Sequence, residues 1–151
     1  MAIDDDIQLF AKVSLFQGFA PEHLRLLAFG SEHLALRAGR DLFRESQVAD
    51  CGFIIASGDI ELHSDTESGR KSHGHYKRGA LLGELAMIAP GRRPCHATAT
   101  TESEAIRISR AAFMRVLGEY PDVARALHKK VAADLHRLVE KVGRLGPSFL
   151  D

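Results

Sequence analysis

The residues best suited to chemistry in this chain lie between Leu82 and Thr98. Gly83 is followed at once by Glu84 and by the small apolar run Leu85, Ala86, Met87 and Ile88. Then come the arginine pair Arg92 and Arg93 and the small pair Ala97 and Thr98. Glycine lets the backbone turn sharply, and a single helical turn behind it presents unbonded N–H groups to an anion. A guanidinium binds phosphate as a planar fork of donors, whereas a carboxylate only accepts. The run therefore reads as a cradle for a phosphorylated sugar, with Glu84 suited to a sugar hydroxyl and an arginine to the phosphate.

These residues resemble the cyclic-nucleotide-binding domain family, which includes bacterial catabolite activator proteins, protein kinase A regulatory subunits and gated channels. Leu36 to Glu45 looks like the family's early strand-turn-strand, Phe53 to Leu62 looks like its central hairpin, and Gly79 and Gly83 match its glycines. The resemblance spans roughly Leu9 to Leu145. It implies a ligand set of Gly83, Glu84, Leu85, Ala86, Arg92, Arg93, Cys95, Ala97 and Thr98, with Glu84 on the ribose 2′-hydroxyl and Thr98 adding a hydroxyl to the phosphate. The phosphate clamp itself stays open. In the family an arginine stands about nine or ten residues after the motif glutamate and just ahead of a small-small-Thr segment. Counting nine forward from Glu84 gives Arg93, but counting back from Ala97 and Thr98 gives Cys95. Either Arg93 or Arg92 reaches the phosphate from a reshaped loop Ala89 to Pro94, or the clamp is lost and Cys95 sits in its place.

These residues need a scaffold, and the rest of the chain supplies its outline. At 151 residues the chain is expected to form a single domain with a real hydrophobic core. Ile7, Phe10 and Ala11 suggest a first helix, and the aromatics of Ser14 to Phe19 are expected to plug the base of a barrel. A second helix starts at Pro21, carries Leu24, Leu26, Leu27 and Ala28, and ends at Gly30. From His33 to Ser109 short apolar or alternating runs are separated by Gly, Asp and Ser. The fold class is therefore mainly β with flanking helices: an eight-stranded antiparallel jelly-roll-like barrel over about 33–109, short N-terminal helices over about 4–30, and C-terminal helices over about 110–145. Ser64 to Arg70 reads as a polar, mobile hairpin loop. Ser109 is a good N-cap for a helix through Val116 that ends near Gly118. Beyond Pro121, Val131, Leu135, Leu138, Val142 and Leu145 form an apolar seam suited to a homodimer through the 121–145 helix or to docking on the chain's own barrel.

Composition narrows the function. The formal net charge is zero, so bulk charge does not favour wrapping nucleic acid or adhering to an anionic membrane. Asp4, Asp5 and Asp6 stand where a secretory signal would be basic, and two cysteines, Cys51 and Cys95, suit a reducing cytoplasm. After Leu145 only Gly146 to Asp151 remain, so no helix-turn-helix and no direct DNA binding are expected. The expected function is a cytoplasmic, non-catalytic sensor that binds a cyclic nucleotide, cAMP above others, needs no cofactor or metal, and signals through its C-terminal helix to an unknown downstream protein. Two alternatives stand beside it. One is a degenerate fold serving as a ligand-independent dimer or interaction module. The other is a cupin-like metal enzyme using His73 and His75, against which Glu84 lies too far from His75. Cys95 beside the arginines also suggests a thiol with a lowered pKa.

Overall fold

The computed structural model describes residues 3–129 and 132. The chain divides into two compact units, Met1–Val116 and Leu117–Asp151.

In the first unit, helix α1 (Ile3–Phe10) opens with Asp4, Asp5 and Asp6 in its first turn, where carboxylates complement the helix dipole. Asp6 is buried and bonds His33 at 2.8 Å, tying the helix to the first strand. Helix α2 (Pro21–Phe29) has proline in its first turn and Gly30 as its C-cap, as the sequence predicts. Phe16 and Phe19 of the intervening segment pack with each other and with Phe113, and Phe10 packs on Phe16.

The strands are β1 (Ser31–Leu36), β2 (Asp41–Phe43), β3 (Val48–Ala49), β4 (Cys51–Ser57), β5 (Ile60–Thr66), β6 (Gly69–Tyr76), β7 (Leu81–Leu82), β8 (Gly91–Arg92), β9 (His96–Ala99) and β10 (Ser103–Ser109). They form two four-stranded antiparallel sheets, A with the order β1-β10-β4-β7 and B with the order β2-β9-β5-β6, and a two-stranded ribbon β3-β8. The core lies between the sheets, with Phe53, Ile55, Leu82 and Ala105 from A meeting Phe43, Ile60, Ala97 and Ala99 from B. Each large side chain so enclosed stabilises the fold by about 1.5–3 kcal/mol. Ile54, Ile106 and Ile108 point to the other face of sheet A and are also fully buried, which explains the unbroken apolar run of β4. The outer face of sheet B is polar.

Two expectations need correction. Phe53 to Leu62 is not a hairpin: β4 and β5 belong to different sheets, and Gly58 (φ 86°) turns the chain from one to the other. Ser103 closes that corner, accepting the Asp59 N–H at 3.0 Å. Ser64 to Arg70 is not a loop, because β5 and β6 continue to a turn at Glu67 and Ser68, with Asp65 opposite Arg70 and the Thr66 hydroxyl donating to the Gly69 carbonyl. Polar residues on an exposed sheet face imitate a loop in sequence.

Helix α3 (Arg110–Glu119) is capped by Ser109, whose Oγ accepts the Ala112 N–H at 3.1 Å. In the second unit residues 121–129 are helical. The proposed seam of Val131 to Leu145 lies outside the described residues. Among the described residues no helix is long and apolar enough to cross a membrane.

Candidate functional site

Gly83 adopts φ 79°, a left-handed conformation that glycine accepts without strain, and it starts the single 3-10 turn Glu84–Met87. The first N–H groups of such a turn have no carbonyl behind them to bond. Glu84 is exposed, and among the described residues its carboxylate has neither a hydrogen bond nor an ion pair. It is therefore not capping neighbouring backbone. The turn is held from beneath by Arg110 of α3, whose Nε donates to the Ala86 carbonyl at 2.8 Å and whose Nη2 donates to the Ala49 carbonyl at 2.6 Å.

Around this turn lies a pocket of about 460 Å³ lined by Ala49, Gly83 to Ala86, and the loop Ala89 to Pro94. Of the residues expected at the ligand, Gly83, Glu84, Leu85, Ala86, Arg92 and Arg93 come together here. Cys95, Ala97 and Thr98 do not line the pocket, for reasons of strand geometry. Ala97 points into the core between the sheets, and Thr98, its neighbour on the strand, points to the opposite face. There the Thr98 hydroxyl donates to Asp41 Oδ1 at 2.7 Å and accepts from His63 Nε2 at 2.8 Å. The Cys95 thiol is buried and its pKa is raised, first by burial and then by Glu45 nearby, so the expected activation by arginine is reversed. Cys51, which does contact Arg93, is also pushed up by burial.

Arg92 and Arg93 are adjacent but differ completely. Arg92 is exposed on the ribbon β3-β8 and its Nη1 donates to the Ser46 carbonyl at 2.9 Å. Arg93 is 5 % exposed, and its Nη2 donates to the Cys51 carbonyl at 2.9 Å and lies 3.2 Å from the Cys51 sulfur. Its guanidinium carbon sits 4.5 Å from the Phe43 ring centre and 5.4 Å from that of Phe53. A methyl group placed on Gly83 would come within 2.4 Å of Arg93 Nη1, so glycine is needed for close approach as well as for φ. Among the described residues no carboxylate pairs with Arg93. A cation taken out of water costs several kcal/mol. Aromatic faces return about 0.5–2 kcal/mol, and the Cys51 carbonyl offsets more.

His73 and His75 do not converge on a shared site. His73 bonds Ser64 and His75 bonds Asp59 at 2.7 Å, and no group of three metal-ligating side chains occurs among the described residues. The sequence reading missed Arg110 and the polar cluster of His63, His96 and Asp41. The only sequence signal for that cluster is polar residues at alternate positions on β5 and β9.

Residues 33–120 match the family model of the cyclic nucleotide-binding domain. A solved cyclic nucleotide-binding-like protein from Brucella abortus shares 52 % identity with a TM-score of 0.71, over 76 % of this chain and 99 % of that one. The CRP-like cAMP-activated global transcriptional regulator of Mycobacterium tuberculosis shares 26 % identity over 86 % of this chain and 58 % of the regulator. Lysophospholipase NTE1 of Yarrowia lipolytica shares 30 % identity over 76 % of this chain, which spans 9 % of that enzyme. With the family model covering Gly83, Glu84 and Arg93 alike, this chain belongs to the cyclic nucleotide-binding domain family.

Proposed function

We propose that the chain is a non-catalytic, cytoplasmic sensor domain that binds cAMP in the pocket at Gly83 to Pro94. The observation that carries this reading is Arg93, a buried cation with no carboxylate partner among the described residues, on the wall of a pocket whose facing turn offers free N–H groups and an uncommitted Glu84. A singly charged cyclic phosphate supplies the missing anion, and Glu84 accepts from the ribose 2′-hydroxyl. The pocket volume falls within the range of small-molecule sites, about 300–1,000 Å³. The choice of cAMP draws on the cAMP-activated relative. Signalling through the C-terminal helix requires the ligand to favour one helix position over another.

A second reading, a ligand-independent interaction module, has one observation in its favour: Arg93 Nη2 is already engaged by Cys51. Calorimetric titration with cAMP, with cGMP and 5′-AMP as controls, separates the two. Micromolar or tighter binding of a cyclic nucleotide supports the sensor. No heat and no thermal stabilisation, where about 2.7 kcal/mol is expected at a hundredfold excess over Kd, supports the module.

A further inference from the structure

We infer that His96 is a positioning residue for Arg93, acting through the turn Arg44 to Gln47 as a proton-sensitive latch; this rests on the pocket being a cyclic-nucleotide site. The main chain of Arg93 is gripped on both sides by that turn. Ser46 N–H donates to the Arg93 carbonyl and Arg93 N–H donates to the Gln47 carbonyl, each at 2.8 Å. Ser46 has φ 72°, and among the described residues it is the only non-glycine with positive φ. Such a backbone persists only where its surroundings over-determine it.

The turn is tied to its neighbours by Arg44, which bonds Asp41 at 2.6 Å, by Arg92, which donates to the Ser46 carbonyl at 2.9 Å, and by one bond to a titratable ring. Glu45 N–H donates to Nδ1 of His96 at 3.0 Å. To accept, Nδ1 must be unprotonated, so the ring proton sits on Nε2, which donates to Asp65 Oδ2 at 3.2 Å. A second proton on His96 would set an N–H against the Glu45 N–H, replacing the bond by repulsion. His96 is 6 % exposed, so no water shell stands ready to replace it.

Charged and titratable groups face His96 from three elements. Its acidic neighbours are Asp65 from β5, which accepts from Nε2, and Asp41 from β2. Its basic neighbour is His63 from β5, with its ring centre 5.2 Å away; Arg70 from β6 acts on His63, and Arg44 from the turn pairs with Asp41. His63 is itself kept neutral, its pKa lowered by burial and then by Arg70 and His96. Its Nδ1 is buried without a hydrogen-bond partner among the described residues. In the neutral ring, His96 fixes Glu45, the turn fixes the Arg93 backbone, and the guanidinium is held over Gly83.

The test combines cAMP titration at several pH values, from about 8 down to about 5, with hydrogen exchange of the Ser46 and Arg93 amides, on wild type, His96→Asn and His96→Ala. The cyclic phosphate keeps its single charge throughout, so it adds no slope of its own. Asparagine Oδ1 can take the Glu45 N–H without titrating. The expected result is a wild-type affinity that falls about three- to tenfold on acidification, a flat profile in His96→Asn, and weaker binding in His96→Ala at every pH. The Ser46 and Arg93 amides should lose protection in parallel with affinity. Identical pH profiles in wild type and His96→Asn would overturn the proposal. If no cyclic nucleotide binds at any pH, the sensor reading fails by itself, and the latch is then judged by the amides. Protection that responds to neither pH nor His96→Ala overturns it, and protection lost in both sustains it.

Discussion

The outer face of sheet B and the corner at Gly83 both bury polar groups, but they satisfy them differently. On the sheet, His63 Nε2 donates to Thr98 and Thr98 to Asp41, so each of these donors has an acceptor within the protein, and only His63 Nδ1 in this chain of bonds is left without a partner among the described residues. At the corner, Arg93 has a carbonyl and two aromatic rings but no anion, and Glu84 has no donor, among the described residues. A satisfied network rigidifies a fold, while an unsatisfied charge beside a pocket raises the gain from a ligand of opposite sign. If the pocket is the proposed cyclic-nucleotide site, the His63–Thr98–Asp41 chain should matter to stability and the corner to binding, and substitutions should separate them.

The sharpest separation is Arg93→Gln. It should lower cyclic-nucleotide affinity about ten- to a hundredfold, the worth of a charge-assisted contact of about 1.5–3 kcal/mol. Because it removes a desolvated charge, unliganded stability should stay within about 1 kcal/mol of wild type by urea denaturation. Arg92→Gln should change affinity less than about threefold, since its exposed head serves the Ser46 carbonyl. Equal losses for the two arginines would erase the contrast.

Gly83→Ala should damage both properties. A left-handed alanine costs about 1–2 kcal/mol, and its methyl displaces Arg93 Nη1. Calorimetry should show affinity down about tenfold beyond any loss of folded protein. Thr98→Val tests the opposite side, leaving the His63 Nε2–H and Asp41 without their shared partner. Stability should fall by about 1–3 kcal/mol while affinity stays within about threefold, contrary to a direct contact between Thr98 and the phosphate. The smallest effect is on acid stability. The folded pKa of His63 is lowered, so its neutral form is favoured by folding. Stability from this source is full above the unfolded value of about 6.5 and is lost as pH falls toward the folded pKa. Melting temperatures of His63→Gln should show a shallower decline over that window than wild type.

The sequence made the scaffold legible wherever a rule is local. Pro21, Gly30 and Ser109 mark helix ends because capping involves residues only a few positions apart. Gly83 and Glu84 were legible for the same reason. The choice between Arg93 and Cys95 was not, because it depends on how the loop Ala89 to Pro94 closes against Cys51 and Phe43, contacts of 42 residues' separation in the first case. Counting from either end cannot see that closure. The pairing of His96 with Glu45 spans 51 positions and leaves only a histidine in a strand as its trace. The false loop at Ser64 to Arg70 had the same origin: a strand whose polar face meets polar neighbours does not show the apolar alternation used to recognise strands.

The two cysteines have a practical consequence. Both thiols are buried and held toward their protonated forms, the less nucleophilic state. Folded protein should therefore be slow to react with alkylating reagents, and each cysteine becomes reactive only when its own surroundings open. Cys51 opens β4 of sheet A behind Arg93 and Cys95 stands just before β9 of sheet B, so their separate modification rates would act as two clocks, one for each sheet. A ligand that slows the first clock more than the second would locate its own grip without any engineered label.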